Sequence, residues 1–223
     1  MSKMNLVIID YGSGNLKSVE NAFKNTVRIK KLKFTIQVTN KLDLISKADH
    51  LVLPGVGSFP DCKKGLVDIE GLINLLTNEV IKKRKKFLGI CVGMQLMVNF
   101  SLEKHKTDGF CWLDGYFEKI KTKGLDYLGR EYKIPHMGWN NLNIEYSHPI
   151  LENISESEQF YFVHSYALRS KKMDQILAST NYSQKFPAII GKENYIGVQF
   201  HPEKSGNSGQ KFIYNWLKWR PLI

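Results

Sequence analysis

The sequence contains no apolar run approaching the roughly 20 residues that a membrane-spanning helix needs, which excludes a helical membrane protein. Cysteine is scarce: Cys62, Cys91 and Cys111 are widely spaced, odd in number and form no CxxC pair, so neither a disulfide framework nor a thiolate zinc site is indicated. Internal repeats and low-complexity linkers are also missing. The N-terminus, MSKMNLVIID, lacks the cleavage-site pattern of a secretory signal, and its short apolar run is expected to be the first strand of a cytoplasmic protein. Neither His136 nor His164 has a carboxylate or cysteine at metal spacing, so both are expected to be hydrogen-bonded structural histidines, with no metal bound. The segment Gly12 to Asn15 lacks the third glycine of GxGxxG, since position 17 is lysine, and no nucleotide cofactor is expected there.

What is present is the balance of a globular protein: 223 residues, 43% hydrophobic and 24% charged, enough for one domain spanning 1–223 around a single core. The net charge of +11 is concentrated at Arg28 to Lys33 and Lys82 to Lys86. Aromatic residues do not interleave with these clusters, so they read as solvated faces and no nucleic-acid partner is expected.

Apolar runs alternate with helical spacing along the first half of the chain. Strands are expected over 5–9, 34–39, 50–53 and 86–90, with helices beginning at Leu16, over 41–47, near 68–83 and from Cys91 onward. Each strand is an unbroken apolar run, as in strands covered on both faces. The expected fold is therefore α/β, a mostly parallel central sheet flanked by helices. Beyond residue 110 shorter strand-like segments take over, at 131–134, 142–145, 159–163, 175–179, 187–190 and 195–199, and should add antiparallel strands. The segments 101–109 and 121–131 look like exposed loops, and Gly209 to Trp219 has the spacing of a final helix.

Two short motifs carry chemistry. In LGICVGMQ a cysteine follows a strand directly, sits between Gly89 and Gly93, and opens a helix. Such a turn pushes the side chain out at the carboxyl end of a sheet, and the helix N-terminus favours a thiolate and offers N–H groups to an oxyanion. In GVQFHPE an apolar strand ends in His201, with Glu203 two residues on. A nucleophilic cysteine needs a base, and the base needs an orienting acceptor. His201 can take the thiol proton and return it to a leaving group, Glu203 can hold the imidazole tautomer, and Pro202 stiffens the turn between them. Cys62 and Cys111 are expected to be inert.

An elbow cysteine followed by an HPE turn resembles the class I, or triad, glutamine amidotransferases. More narrowly, VIIDYGSGNLKSV, LVLPGVGSF, FLGICVGMQL, PHMGWN, YFVHSY and GVQFHPEKS are similar, in order and over residues 7 to 205, to the glutaminase subunits of imidazole glycerol phosphate synthases. The resemblance implies a flavodoxin-like fold, glutamine as substrate, and ammonia passed to a TIM-barrel cyclase partner in histidine biosynthesis. It implies that Cys91 forms a γ-glutamyl thioester with His201 as acid and base and Glu203 as its orienting partner. It also implies an oxyanion hole from Gly55, Val56, Gly57 and Val92, substrate contacts from Gln95 and the His164, Ser165 and Tyr166 segment, and partner contacts from Asn15, Trp139 and Lys204. Trp139 could equally be a core residue. Departures from the pattern are Val92 where leucine is common, the basic first crossover, and the aromatic, cationic C-terminus YNWLKWRPLI. None removes a catalytic group, but they leave open a paralogue feeding ammonia to sugar amidation in surface-polysaccharide pathways. A cysteine peptidase or DJ-1-like hydrolase shares the elbow, yet the HPE turn and Gln95 speak against it. A silent interaction subunit would lack Cys91 or His201, and both are present.

Overall fold

Val, Ile and Leu in unbroken runs favour extended backbone that can be covered on both faces, and these runs form the centre of the molecule. A computed structural model describes residues 3–126 and 128–221. The chain runs β1 (Met4–Ile9), α1 (Leu16–Ile29), β2 (Phe34–Thr39), α2 (Leu42–Lys47), β3 (His50–Gly55), α3 (Phe59–Val67), α4 (Leu72–Thr77), β4 (Lys86–Cys91) and α5 (Val92–Gln95). Short strands follow: β5 (Phe100–Ser101), β6 (Thr107–Asp108), β7 (Tyr116–Lys119), β8 (His136–Asn141), β9 (Asn143–Ile144), β10 (Gln159–His164) and β11 (Tyr166–Arg169). The last elements are β12 (Ile176–Tyr182), β13 (Gln184–Lys192), β14 (Tyr195–Val198) and α6 (Gly206–Lys218).

The main sheet has eight strands in the order β2-β1-β3-β4-β14-β13-β12-β9. The first five run parallel, and β13, β12 and β9 extend the sheet antiparallel. The chain winds outward from β1 in both directions, the arrangement that opens a crevice at the carboxyl ends of parallel strands. Register decides what gathers there: Gly55 at the end of β3 pairs with Cys91 at the end of β4, and Val198 at the end of β14 pairs with Ile90. Three segments far apart in sequence thus end side by side.

Helices cover the sheet through apolar stripes. On α1, Val19, Phe23 and Thr26 are buried, one helical turn apart, and the Asn15 side chain accepts from Ser18 N–H to close the helix start. Phe23 meets Trp216 of α6 edge-on, with ring centroids 5.9 Å apart. The aromatic C-terminus is therefore packing surface: Trp216 and Trp219 are buried. Between them the Lys86 ammonium donates to the carbonyls of Leu217 at 3.1 Å and Trp219 at 2.6 Å, a cation on the last turn of a helix. In the basic crossover, Lys30 lies 5.0 Å above the Tyr214 ring.

Several expected boundaries differ. The helix expected near 68–83 begins at Leu72 and ends in a π-helical turn, Asn78–Lys82, while α3 precedes it. Gly71, with φ +80°, separates the two. The strand expected at 131–134 is reduced to a single bridge from Glu131 to Leu125, and the ladder starts at His136, after Pro135, which has no N–H to donate. β7 and β11 pair with each other in a second, four-stranded sheet with β5 and β6, inside and beside the segment expected to be loop. Among the described residues no helix is long and apolar enough to cross a membrane.

Candidate active site

Cys91 closes β4 in a conformation that L-residues seldom adopt, φ 54° and ψ −110°, of the kind found where backbone strain serves a site. The surrounding glycines are there for space. A Cβ at Gly93 would sit 1.8 Å from the Leu53 carbonyl oxygen, one at Gly89 would sit 2.6 Å from that of Gly93, and one at Gly55 would sit 2.7 Å from the Tyr11 hydroxyl. The helix after the elbow is shorter than expected. α5 has only four residues, so its dipole contributes little to the charge on Cys91.

On the neighbouring strand end, His201 Nδ1–H donates to Glu203 Oε1 at 2.8 Å, both side chains being almost wholly enclosed. The backbone around them is pinned: His201 N–H donates to the Tyr161 carbonyl, and the Ser205 hydroxyl donates to the His201 carbonyl. Nε2 of His201 is buried with no other nitrogen or oxygen bonded to it. Burial alone would push the imidazole down, but the Cys91 sulfur and the Glu203 carboxylate outweigh it and raise its pKa to about 10. Both partners thus favour the protonated ring.

Cys91, Val92, Gln95, His164, Ser165, Tyr166, His201, Lys204, Val56 and Gly57 line one cleft of about 350 Å³. Gly55 and Glu203 are not in its lining: Gly55 pairs with Cys91 in the sheet and Glu203 is bonded to His201. A larger groove, about 940 Å³, lies elsewhere, between β7, β12 and β13, and contains none of the sequence-predicted residues. Size therefore does not mark the site here. The Val56 peptide is engaged by Ser13, whose hydroxyl donates to the Val56 carbonyl at 2.7 Å and accepts from its N–H at 3.4 Å. That N–H is thus already engaged in this conformation. Among the described residues no cluster of His, Cys, Asp and Glu is placed to hold a metal.

The two structural histidines form a directed chain. His164 Nδ1–H donates to the Tyr166 carbonyl at 2.8 Å, which leaves Nε2 to accept from His136 Nδ1–H at 2.9 Å, and His136 Nε2 accepts from the Asn140 amide at 3.2 Å. Burial holds His136 down to about 3 and His164 down to about 4, and buried His50 is also at about 3. Each folded value lies below the unfolded 6.5, so the unfolded chain takes up protons first and stability falls as pH drops from about 6.5 toward 4. Each histidine contributes up to about 1.4 kcal/mol per pH unit in that window. His201 does not oppose this, being protonated in both states there. Urea midpoints between pH 6 and pH 4 should fall steadily, and His136→Gln should flatten the slope.

Three residues escaped the sequence reasoning. Glu103 lines the cleft and accepts from Phe59 N–H at 2.8 Å, but it lies in a segment with no motif. Ser13 is one letter of a turn. Gln199, 1% exposed, lies between the strand and His201, and its Nε2 is 3.6 Å from the Cys91 sulfur. Of the residues expected at a partner surface, Lys204 reaches the cleft and lies 5.7 Å above the Tyr161 ring. Trp139 is not core: it is 53% exposed and packs its edge 5.9 Å from Tyr161. Asn15 is exposed and caps α1. Of the remaining thiols, Cys62 is buried and Cys111 is exposed.

The family model described as glutamine amidotransferase class-I matches residues 7–219. The chain belongs to that family. Curated relatives named imidazole glycerol phosphate synthase subunit HisH share 42% identity in Brucella melitensis and 43% in Rhodopseudomonas palustris, each over 98% of this chain and all of the relative. Among solved structures, one described as a glutamine amidotransferase superposes with a TM-score of 0.66 at 14% identity, covering 94% of this chain and 98% of its own. Another, a glutamine amidotransferase from Thermotoga maritima, gives 0.56 at 14% identity over 97% and 84%. At such identities the structures speak for the fold alone.

Proposed function

We propose that this chain is a single-domain, cytoplasmic glutaminase subunit of an imidazole glycerol phosphate synthase, delivering ammonia from glutamine to a TIM-barrel cyclase subunit in histidine biosynthesis. The carrying observation is the convergence of Cys91, on a strained elbow, with a His201 oriented by Glu203. The full-length likeness to synthase subunits supports the acceptor pathway.

In this reading the Cys91 sulfur attacks the side-chain amide carbon of glutamine, and the carbonyl oxygen becomes an oxyanion. Val92 N–H and a peptide N–H of the Gly55 to Gly57 segment receive that charge. Because Val56 N–H is held by Ser13, the segment has to turn before its donor can serve. His201 then passes its proton to the departing nitrogen, releasing ammonia and leaving a γ-glutamyl thioester. Water attacks the thioester with His201 as base, giving glutamate and the free thiol. Gln95 and the His164 to Tyr166 segment hold the substrate. Glu103, the acidic residue among those lining the cleft, faces the α-ammonium group.

Glu103→Gln is expected to raise the KM for glutamine about tenfold while kcat changes by less than about threefold, the pattern of a lost ground-state contact. Steady-state glutamate release measures both. Trp139, Tyr161 and Lys204 form a patch adjoining the cleft, where the cyclase subunit would dock. The test of the assignment is glutamate release by the chain alone and with a co-expressed cyclase subunit, with and without that cyclase's ribotide substrate. Stimulation of at least about tenfold is expected. An unstimulated but active enzyme would contradict the histidine-pathway assignment and favour sugar amidation.

A further inference from the structure

The Cys91 sulfur has a second polar neighbour besides His201, and it stands inside the GVQFHPE segment, where no role was expected of it. Gln199 is enclosed on the extension of β14, two residues before His201. Its Nε2 lies 3.6 Å from Cys91 Sγ, and its Oε1 accepts from Gln95 Nε2 at 3.1 Å. Burying a primary amide is costly unless both of its ends are bonded, and an apolar side chain of equal size would fill the same space without that requirement.

In the structure Gln95 Nε2 donates to the Gln199 oxygen, and the Gln199 N–H is turned to the sulfur. An N–H is worth most to an acceptor that carries charge, and a thiolate is a far better acceptor than a thiol. The four-residue α5 offers only a weak dipole to the same sulfur, so local donors matter more here than in an elbow followed by a long helix.

We propose that Gln199 is a catalytic residue whose amide N–H stabilises the Cys91 thiolate, and that Gln95 fixes its orientation, coupling substrate seating to activation of the nucleophile. The proposal rests on the reading of Cys91 as the nucleophile. Two donors then hold the charge, the His201 imidazolium and the Gln199 amide, and substrate contacting Gln95 acts on the second through one hydrogen bond.

The test is the rate of Cys91 alkylation by iodoacetamide against pH, read on the Cys91 peptide by mass spectrometry so that Cys111 does not contribute. Gln199→Met keeps the volume and removes the N–H, and should move the midpoint up by about one pH unit. It should also lower kcat about tenfold at nearly constant KM. Gln199→Glu keeps the shape and sets a carboxylate beside the sulfur, and should move the midpoint up further. Thermal unfolding of each variant accompanies the profile, and Gln199→Glu carries the test should Gln199→Met fail to fold. A filler role would change melting without moving the midpoint, so wild-type midpoints in the folded variants overturn the proposal. A wild-type Cys91 that alkylates with the profile of the denatured chain would remove the nucleophile reading itself, and the proposal with it.

Discussion

Cys91→Ser is expected to reduce glutamine hydrolysis by ~10⁴-fold or more, with the melting temperature changed by less than about 3 °C. A hydroxyl in the same place is far less acidic than a thiol, and a base tuned to a sulfur anion does not ionise it. The substitution is nearly isosteric at a side chain that makes no packing contribution beyond one small atom, so folding is spared. His201→Ala should cost a comparable factor because it removes the ring that hands its proton to the departing nitrogen. Glu203→Gln should cost less, roughly 10- to 100-fold, since it weakens orientation and charge support without removing the ring. A synthase assembled with the Cys91→Ser subunit should still turn over when ammonium salts are supplied. Loss of that activity as well would place the damage in assembly and not in the thiol.

Gly93→Ala is expected to be the most damaging single change to stability near the site, at about 4 kcal/mol or more, seen as loss of soluble protein or a collapsed urea midpoint. The new Cβ would lie 1.8 Å from the Leu53 carbonyl oxygen, which belongs to β3 and cannot rotate away as a side chain could. Relief requires the elbow and the strand to separate, and Leu53 pairs there with Gly89 of β4. Gly129→Ala provides the contrast: nothing lies within 4 Å of its Cβ, and only the left-handed backbone, φ +74°, opposes it. About 1 kcal/mol is expected there. Equal losses at both positions would mean that backbone conformation, and not contact, limits the elbow.

The parallel half of the sheet was legible because its strands are continuous apolar runs ending in turn residues. β2 was expected over 34–39 and occupies those residues, and β1, β3 and β4 differ from expectation by one or two residues at their ends. The meeting of Cys91 with His201 and Glu203 was legible for a related reason: each motif sits at a strand end, and parallel strands of one sheet present their carboxyl ends on one edge. The middle of the chain was not. β5, β6 and β9 have two residues each, too few to show a period, and β7 and β11 find each other only through tertiary pairing. Glu103 lines the cleft from a connection, Ser13 holds the Val56 peptide from a turn and Gln199 lies beside the Cys91 sulfur at a strand end, where no spacing rule distinguishes them from solvated or buried neighbours. Trp139 shows the limit of residue type: hydrophobic alternation along β8 does not say that its second face is left open beside Tyr161.

The most direct test of the account is to quench the enzyme within one turnover of glutamine, together with its partner subunit, and to map covalent adducts by mass spectrometry. A γ-glutamyl increment on the Cys91 peptide, accumulating further in a variant slowed in thioester hydrolysis and absent in Cys91→Ser, is the predicted result. Steady turnover with no increment on Cys91, or with the increment on another residue, would contradict it.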